Sequence, residues 1–287
     1  MKKVLTLSLI LTILLFQSTK AKDITVTSPD KKITVNINLA QEIVFNIKYM
    51  NSSVLEKGTI SLDLLNEMLG NNPKLISIKK QTIDEMIHPV VPLKNNKIRN
   101  HCNVLNLYFK NNYQLEFRVF NNGVSYRFIT TKKEEITVVN ESSTYQFADN
   151  YNAYLSKTAR TFSNYENVYQ PIAIKDFKKE DVAVIPLFLD TEKSKILIME
   201  ADLHDYPAMF LEGTGGNSLH TWFPKSPEKT EPLPNSSGGD RRLKISKEAD
   251  YIAKTIGTRS FPWRIFAIAE EDKDIATNDL VYLIFMV

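Results

Sequence analysis

Apolar and polar residues alternate along much of this chain, a pattern that predicts β-strands rather than helices. Over residues 24–39, apolar side chains stand at every second position on both sides of the segment Ser28-Pro29-Asp30-Lys31. This arrangement predicts a β-hairpin. The same alternation predicts strands over residues 42–49 and 54–64, although residues 60–70 are also compatible with a short helical turn.

Asparagine-rich turns separate three further predicted strands, residues 104–108, 113–120 and 124–130. Asn111-Asn112 joins the first two, and Asn121-Asn122-Gly123 joins the second to the third. Asn and Gly accept the positive φ angles that tight hairpin turns use, so Gly123 has a structural reason to be there. The three strands are predicted to form an antiparallel meander. Strand character returns near the end of the chain, over residues 251–255, 263–269 and 280–287.

Two segments lose the alternation and are predicted to be long loops. Residues 147–173 are aromatic and polar, so they either carry a binding surface or pack aromatic rings beneath a loop. Residues 225–242 are rich in Pro, Ser, Glu and Gly and resemble an exposed loop. Few segments hold a helical period. The fold class predicted is therefore all-β, with two large antiparallel sheets packed as a sandwich and few short helices.

The N-terminus has the layout of a secretory signal peptide. Met1-Lys2-Lys3 precedes an apolar run over residues 4–16, and small or polar residues lead to Ala21. The run is too short to span a bilayer, and no cysteine stands at the cleavage site to accept a lipid. We therefore expect residues 1–21 to be removed and the protein to be periplasmic or secreted, with no stable membrane anchor.

The cysteine count and the charge distribution indicate how the protein is stabilised and which class of partner is excluded. Cys102 is the only cysteine, so an intramolecular disulfide is excluded and stability must come from a core drawn from the 43% hydrophobic residues. The net charge is +3, and lysines are interspersed with acids instead of forming a basic stripe. This distribution argues against nucleic acid as a partner.

The most informative candidate chemistry lies where an apolar segment, residues 196–199, runs into a group of polar side chains. If the strand continues, period-2 geometry places Glu200, Asp202 and His204 on one face. Oxygen and nitrogen ligands would then be close enough to form part of a site for a hard cation. The alternative is the solvated polar end of a strand.

Five motifs follow one another along the chain. These are Ser28-Pro29-Asp30-Lys31-Lys32, the segment Leu115–Phe128 after Arg99-Asn100, Tyr165-Glu166, Glu200-Ala201-Asp202-Leu203-His204-Asp205-Tyr206-Pro207, and Pro262-Trp263-Arg264-Ile265. Taken together and in this order, they resemble the N-terminal domain of glycoside hydrolase family 97, whose members are secreted bacterial α-glucosidases and α-galactosidases. The resemblance covers about residues 23–284.

The resemblance implies a β-supersandwich of the galactose-mutarotase-like kind over residues 22–284. In complete members this domain precedes a (β/α)₈ barrel that holds the catalytic carboxylates. Residues 285–287 are expected to end the chain before that barrel, so no catalytic residue is assigned here and no turnover is expected from the chain alone. Partners implied are an oligosaccharide or polysaccharide substrate and a catalytic barrel in cis or in trans.

The resemblance also implies a metal. Family members bind calcium near the sugar, and Glu200 matches the one carboxylate ligand that the N-terminal domain supplies. Because calcium takes six to eight oxygens, we expect this chain alone to bind it weakly or not at all.

Other candidate residues have structural interpretations beside functional ones. Glu166 and Glu200 are the only pair considered as an acid and base, and nothing in the sequence brings them together. Arg118 and Arg127 are expected to share a carboxylate or, more simply, to brace the sheet. The aromatic residues considered for sugar stacking are Trp222, the best surface candidate, Trp263, Tyr165 and Tyr206. The scattered His88, His101, His204 and His220 lack the spacing of a zinc site.

Three alternatives remain for the chain as a whole. It could be a stand-alone carbohydrate-binding module, a domain that becomes active on docking with a separately encoded barrel, or the remnant of a truncated α-glucosidase gene.

Overall fold

The computed structural model describes residues 22–91, 94–159, 165–233 and 243–285. The predicted signal peptide, residues 1–21, lies outside these ranges. Within them the chain is built almost wholly of antiparallel strands, and no helix there is both long and apolar enough to cross a membrane. The predicted all-β class is confirmed.

The strands follow one another with short connections. Those of the first half are β1 (Lys22–Thr27), β2 (Ile33–Leu39), β3 (Ile43–Tyr49), β4 (Ser52–Leu64), β5 (Glu67–Leu69), β6 (Leu75–Ile87), β7 (Ile98–Phe109), β8 (Tyr113–Phe120), β9 (Gly123–Thr131) and β10 (Ile136–Gln146). Those of the second half are β11 (Asn152–Thr158), β12 (Gln170–Ala173), β13 (Val182–Asp190), β14 (Lys195–Ala201), β15 (Phe210–Gly213), β16 (Ser218–Trp222), β17 (Pro227–Pro232), β18 (Leu243–Glu248), β19 (Ala253–Thr255), β20 (Thr258–Ser260) and β21 (Trp263–Ala269). A 3-10 helix (Ile174–Asp176) and the helices α1 (Asp272–Ala276) and α2 (Leu280–Phe285) complete the described elements.

Hydrogen bonding arranges these strands in two layers. The first layer runs β1-β2-β3-β4-β10-β16-β15, and the second runs β6-β7-β8-β9-β21-β14. Strand β13 joins them, because Val182–Val184 pairs with β15 while Leu187–Asp190 pairs with β14. In the described ranges the layers therefore belong to one continuous sheet of 19 strands, and β17 and β18 form a separate sheet of two.

The core between the layers is apolar and aromatic. Phe45 of the first layer meets Phe117 and Tyr126 of the second, with ring centroids 5.8 and 5.4 Å apart. Tyr145 of the first layer stands edge-on to Phe266 of the second at 4.9 Å. All five rings are almost fully buried. Alternation along each strand supplies these inward side chains, so the sandwich predicted from the pattern is the one observed.

A second apolar cluster, here called the outer cluster, covers the opposite face of the second layer. Trp263, Ile265 and Ala267 belong to it, while Phe266 and Ile268 of the same strand face the inter-layer core. The remaining buried members are Ile98, Cys102, Val104, Phe120, Ala201, Leu280, Leu283 and Ile284. Helix α2 lies over this face and shields it from water.

The strand predicted for residues 280–287 is wrong over residues 280–285, because the structure has α2 there, and residues 286–287 lie outside the described ranges. An unbroken apolar run does not distinguish a strand from a helix. Two local features decide the outcome: the Asn278 side-chain oxygen accepts a hydrogen bond from the Leu280 N–H at 2.9 Å, and Leu280, Leu283 and Ile284 bury one helical stripe.

The long loops predicted for residues 147–173 and 225–242 are partly strands. Strands β11 and β12 lie in the first segment, and β17 lies in the second, paired with β18. Residues 160–164 and 234–242 lie outside the described ranges. Both faces of β17 are largely exposed, so its sequence carries no alternation by which it could have been recognised. The helical turn considered within residues 60–70 is also wrong, because β4 and β5 form a hairpin there.

Gly123 is needed for a structural reason, as predicted, but the reason is not a positive φ angle. Asn111 and Asn112 do adopt positive φ angles, 68° and 55°, whereas Gly123 does not lie in the left-handed region. Gly123 is required by close approach instead. A Cβ there would lie 2.4 Å from Leu280 Cδ1 and 2.5 Å from the Phe266 carbonyl oxygen.

Candidate functional site

Glu200 stands one residue before the end of β14, with its side chain 10% exposed. Its carboxylate accepts a hydrogen bond from the Met209 N–H at 3.1 and 3.2 Å and another from Arg264 Nη1 at 2.6 Å. Burial raises the pKa of Glu200, because loss of water outweighs the attraction of Arg264 and the bond from Met209. The carboxylate is thus held in one orientation at the rim of the sandwich.

Arg264 connects Glu200 to the opposite layer. Its Nε and Nη2 donate to the two carboxylate oxygens of Glu141 at 2.7 and 2.8 Å, which is a bidentate pair. Burial alone would lower the pKa of Arg264, but Glu141 and Glu200 raise it, so the guanidinium stays charged. Sequence reasoning missed Glu141, because a β-bulge between Val138 and Asn140 shifts the alternation just before it.

A set of hydrogen-bonded hydroxyl groups lies beside this ionic network, between the layers. Tyr126 and Tyr145 join through their phenolic oxygens at 2.7 Å, and Tyr126 also bonds Ser143 at 2.9 Å. Burial raises the pKa of Tyr145 to about 12, so both rings are neutral hydrogen-bonding groups. Glu200, Arg264 and Tyr126 lie side by side in register across β14, β21 and β9, so the strand pairing itself assembles the network.

Arg118 and Arg127 share one carboxylate on the outer face of the second layer, as predicted for the pair. Arg118 Nε donates to Glu116 at 2.9 Å, and Arg127 donates to the other oxygen of Glu116 at 3.1 Å. Both guanidinium groups stack on the ring of Trp263, at 4.8 and 4.1 Å from its centroid. Burial lowers the pKa of Arg127, and Glu116 opposes this effect. The pair therefore also braces the sheet.

The predicted alignment of Glu200, Asp202 and His204 on one strand face does not occur. Strand β14 ends at Ala201, and Asp202 adopts a positive φ of 60°, which turns the chain away. Asp202 instead lies 3.5 Å from Arg127 Nη1 and 3.4 Å from His204 Nε2. The described ranges contain no group of three or more His, Cys, Asp or Glu side chains that could hold a metal ion.

The residues present therefore do not by themselves fit a calcium site. Calcium takes six to eight oxygens, and the Glu200 carboxylate is already bonded to Arg264 and Met209. The assignment of Glu200 as a metal ligand stays a prediction, and any such site would need oxygens from beyond these residues.

The aromatic candidates have different environments. Trp263 is fully buried, in agreement with its interpretation as core. Tyr206 packs edge-on against Phe261, with centroids 5.4 Å apart. Trp222 is half-buried against Phe210 at 5.6 Å and lines a cavity, while Tyr165 is 40% exposed beside the same phenylalanine.

The structure does not bring Glu166 and Glu200 together as an acid and base, and it assembles no catalytic site around the histidines of the described ranges. Glu166 lies in an exposed segment before β12, and Glu200 is engaged by Arg264. His220 bonds Thr144 Oγ1 through Nδ1 at 3.1 Å, and burial lowers its pKa. His88 is exposed and His101 is half-buried.

Together, the fold and this rim define an antiparallel β-sandwich domain that holds one acidic side chain through a buried ionic network. The model of the family described as Glycosyl-hydrolase 97 N-terminal matches residues 26–285. The chain belongs to this family, and the resemblance stated from its motifs is confirmed.

Among curated proteins, the chain is 32% identical over 277 residues to a retaining alpha-galactosidase of Bacteroides thetaiotaomicron, covering 92% of the chain and 41% of that enzyme. Among solved structures, it resembles a glycoside hydrolase family 97 enzyme in complex with acarbose from Pseudoalteromonas sp. strain K8, with a TM-score of 0.73 and 21% identity over 90% of the chain and 37% of that structure. It also resembles a beta-arabinopyranosidase, with a TM-score of 0.72 and 17% identity over 87% of the chain and 40% of that structure. The chain thus spans about two fifths of the length of the relatives it matches.

Proposed function

We propose that this protein is the non-catalytic N-terminal domain of a family 97 α-glycosidase. In this role it packs against a catalytic barrel, in cis or in trans, and helps to wall the substrate pocket for an oligosaccharide or polysaccharide. We further propose that it works in the periplasm or outside the cell, after removal of residues 1–21.

One observation supports the docking proposal: α2 covers the outer cluster only in part, so apolar side chains at its edge remain partly exposed. Leu197, Met199, Val281 and Tyr282 pack against this cluster while remaining partly exposed. They lie together because α2 runs beside β14 on the outer face of the second layer. An apolar edge of this kind favours burial against a second folded body.

Glu200 supplies the second part of the proposal. The same strand, β14, carries Met199 at the apolar edge and Glu200 in the ionic network, on successive positions. Met199 and Glu200 face opposite sides of β14, but both lie within two residues of its end at Ala201. A barrel that covers Met199 and the end of this strand would therefore approach the rim where Glu200 lies. Glu200 would be one of the residues that hold calcium, and the remaining oxygen ligands would have to come from the barrel.

Co-expression tests the docking. The chain would be produced together with the part of the Bacteroides retaining alpha-galactosidase that it does not match. Affinity co-purification and sedimentation velocity would then show whether the two form a complex. We expect a one-to-one complex. Met199→Glu should abolish it, because a carboxylate would be buried in an apolar contact.

Leu65→Glu provides the matched control. Leu65 is 67% exposed in the turn between β4 and β5, remote from α2, so the same substitution there should leave the complex intact. Failure of the unaltered chain to form a complex, or equal behaviour of the two variants, would contradict the proposed docking.

A further inference from the structure

A polar cavity lies at the end of the sandwich opposite Glu200. Its volume is about 620 Å³, and three turns line it: the one after β3, the loop before β11 and the one between β13 and β14. Glu200 lies five positions along β14 from Lys195, which adjoins the last of these turns. At 3.3–3.4 Å per residue this is roughly 17 Å, so the cavity is separate from the rim around Glu200.

The lining offers hydrogen-bond donors and acceptors of several kinds. It includes hydroxyl, amide and carboxylate groups, from Ser52, Ser53, Asp149, Asn150, Asn152 and Glu192. Asn152 and Glu192 are exposed, and their side chains make no hydrogen bond to another residue of the described ranges. Amides and carboxylates arranged in this way pair readily with neighbouring hydroxyl groups of one ligand.

Aromatic side chains border the same cavity. Tyr151 lines it, with its ring edge-on to Phe147 at 6.3 Å. Tyr154 lies two positions after Asn152 on β11, so the two side chains point to the same face of the strand. The ring of Tyr154 lies 5.7 Å from that of Phe188 on β13. Tyr154 is 41% exposed. The exposed ring of Tyr154, tilted by 57° against that of Phe188, therefore lies on the strand that leads away from the polar cavity.

We infer that the cavity and the Tyr154–Phe188 pair form a second carbohydrate-binding site, which holds an oligosaccharide chain away from Glu200. A pyranose ring has an apolar C–H face, which suits an aromatic surface, and an edge of hydroxyls, which suits amides and carboxylates. Asn152 and Tyr154 are two residues apart, roughly 7 Å, which is comparable with the length of one sugar unit. The site thus accommodates adjacent units of a chain.

A cation is a poorer fit for the cavity. Asp190 is already paired with Lys195, and no metal-binding group of three acidic, histidine or cysteine side chains occurs in the part of the chain that the structure describes. The inference does not rest on the proposed docking, because it uses residues of β11 and β13 rather than the apolar edge beside α2.

Isothermal titration calorimetry of the purified chain tests this site, with maltotetraose and stachyose as probes. We expect saturable binding of at least one probe, weakened about tenfold or more by Tyr154→Ala and by Asn152→Ala. Both side chains are exposed, so these variants should keep the thermal midpoint of the unaltered protein. Tyr108→Ala is the control, since Tyr108 lies on β7, six strands away across the sheet.

Three results would overturn the inference. They are no binding of either probe, equal weakening by Tyr108→Ala, and loss of the complex with the barrel, rather than of sugar binding, in Tyr154→Ala. The last result would assign Tyr154 to the docking surface. The behaviour of Met199→Glu decides the docking proposal separately.

Discussion

Arg264 and Glu141 form a bidentate ion pair that joins the two layers of the sandwich, with side chains only 1% and 5% exposed. The third guanidinium nitrogen of Arg264 holds Glu200 at the rim. One buried cation therefore links the sandwich core to the candidate site. A planar guanidinium suits this task because it can serve two carboxylates at once.

Arg264→Met is expected to lower the free energy of unfolding by about 3–5 kcal/mol, because it leaves two carboxylates without a counter-ion in a buried setting. Urea denaturation measures the loss. Arg99→Met is the control, since the Arg99–Asp84 pair is exposed and should leave the urea midpoint almost unchanged. Equal midpoints for both variants would refute the role given to Arg264.

Gly123→Ala is expected to destabilise the protein by about 1–3 kcal/mol, because the new methyl would press on Leu280 and on the Phe266 carbonyl. The displacement should loosen α2 and expose the outer cluster. Gly216→Ala is the matched control, because its Cβ would meet only Thr214 Oγ1, at 3.7 Å. Thermal unfolding compares the two, and similar midpoints would show that the close approach is tolerated.

Much of the fold follows from alternation along the chain. The hairpin β1–β2 was predicted from the alternation on both sides of Ser28-Pro29-Asp30-Lys31. The meander β7–β8–β9 was predicted from its apolar strands and the asparagine-rich turns between them. Elements without that contrast were missed. Helix α2 is apolar over its whole length, and β17 is polar on both faces, so neither shows the period that would reveal it.

The candidate site was less accessible to sequence reasoning. The stop of β14 near Glu200 was predicted, but the partner that holds Glu200, Arg264, lies 64 positions away, and Glu141 lies 123 positions from Arg264. Only strand register brings these residues together. Arg118 and Arg127 were easier to pair, because a tight turn connects their strands.

His220 is expected to make stability depend on pH. Burial lowers its pKa from 6.5, so the unfolded chain binds the proton more readily than the folded protein. Its contribution is therefore fully present above pH 6.5 and is lost as the pH falls below that value toward the lowered pKa. Between about pH 7.5 and about pH 5.5, the urea midpoint should fall further for the unaltered protein than for His220→Gln. A parallel decline would contradict this.

Calcium binding is expected to depend on assembly. The chain alone supplies one carboxylate at the rim, so calorimetry should detect weak binding or none, whereas the complex with a barrel should bind more tightly. Glu200→Gln in that complex should weaken calcium about tenfold or more, since it removes a charged ligand. Asp63→Asn, on β4 in the other layer, is the control. Unchanged affinity in Glu200→Gln would exclude Glu200 as a ligand.

The most direct test exchanges the domain itself. In the Bacteroides retaining alpha-galactosidase, the segment that this chain matches would be replaced by residues 22–285, and kcat/KM would be measured on an aryl α-galactoside. The account predicts a folded, active chimera whose activity falls with Glu200→Gln and with Met199→Glu but not with Leu65→Glu. A folded chimera with no activity, or one indifferent to both Glu200→Gln and Met199→Glu, would contradict it.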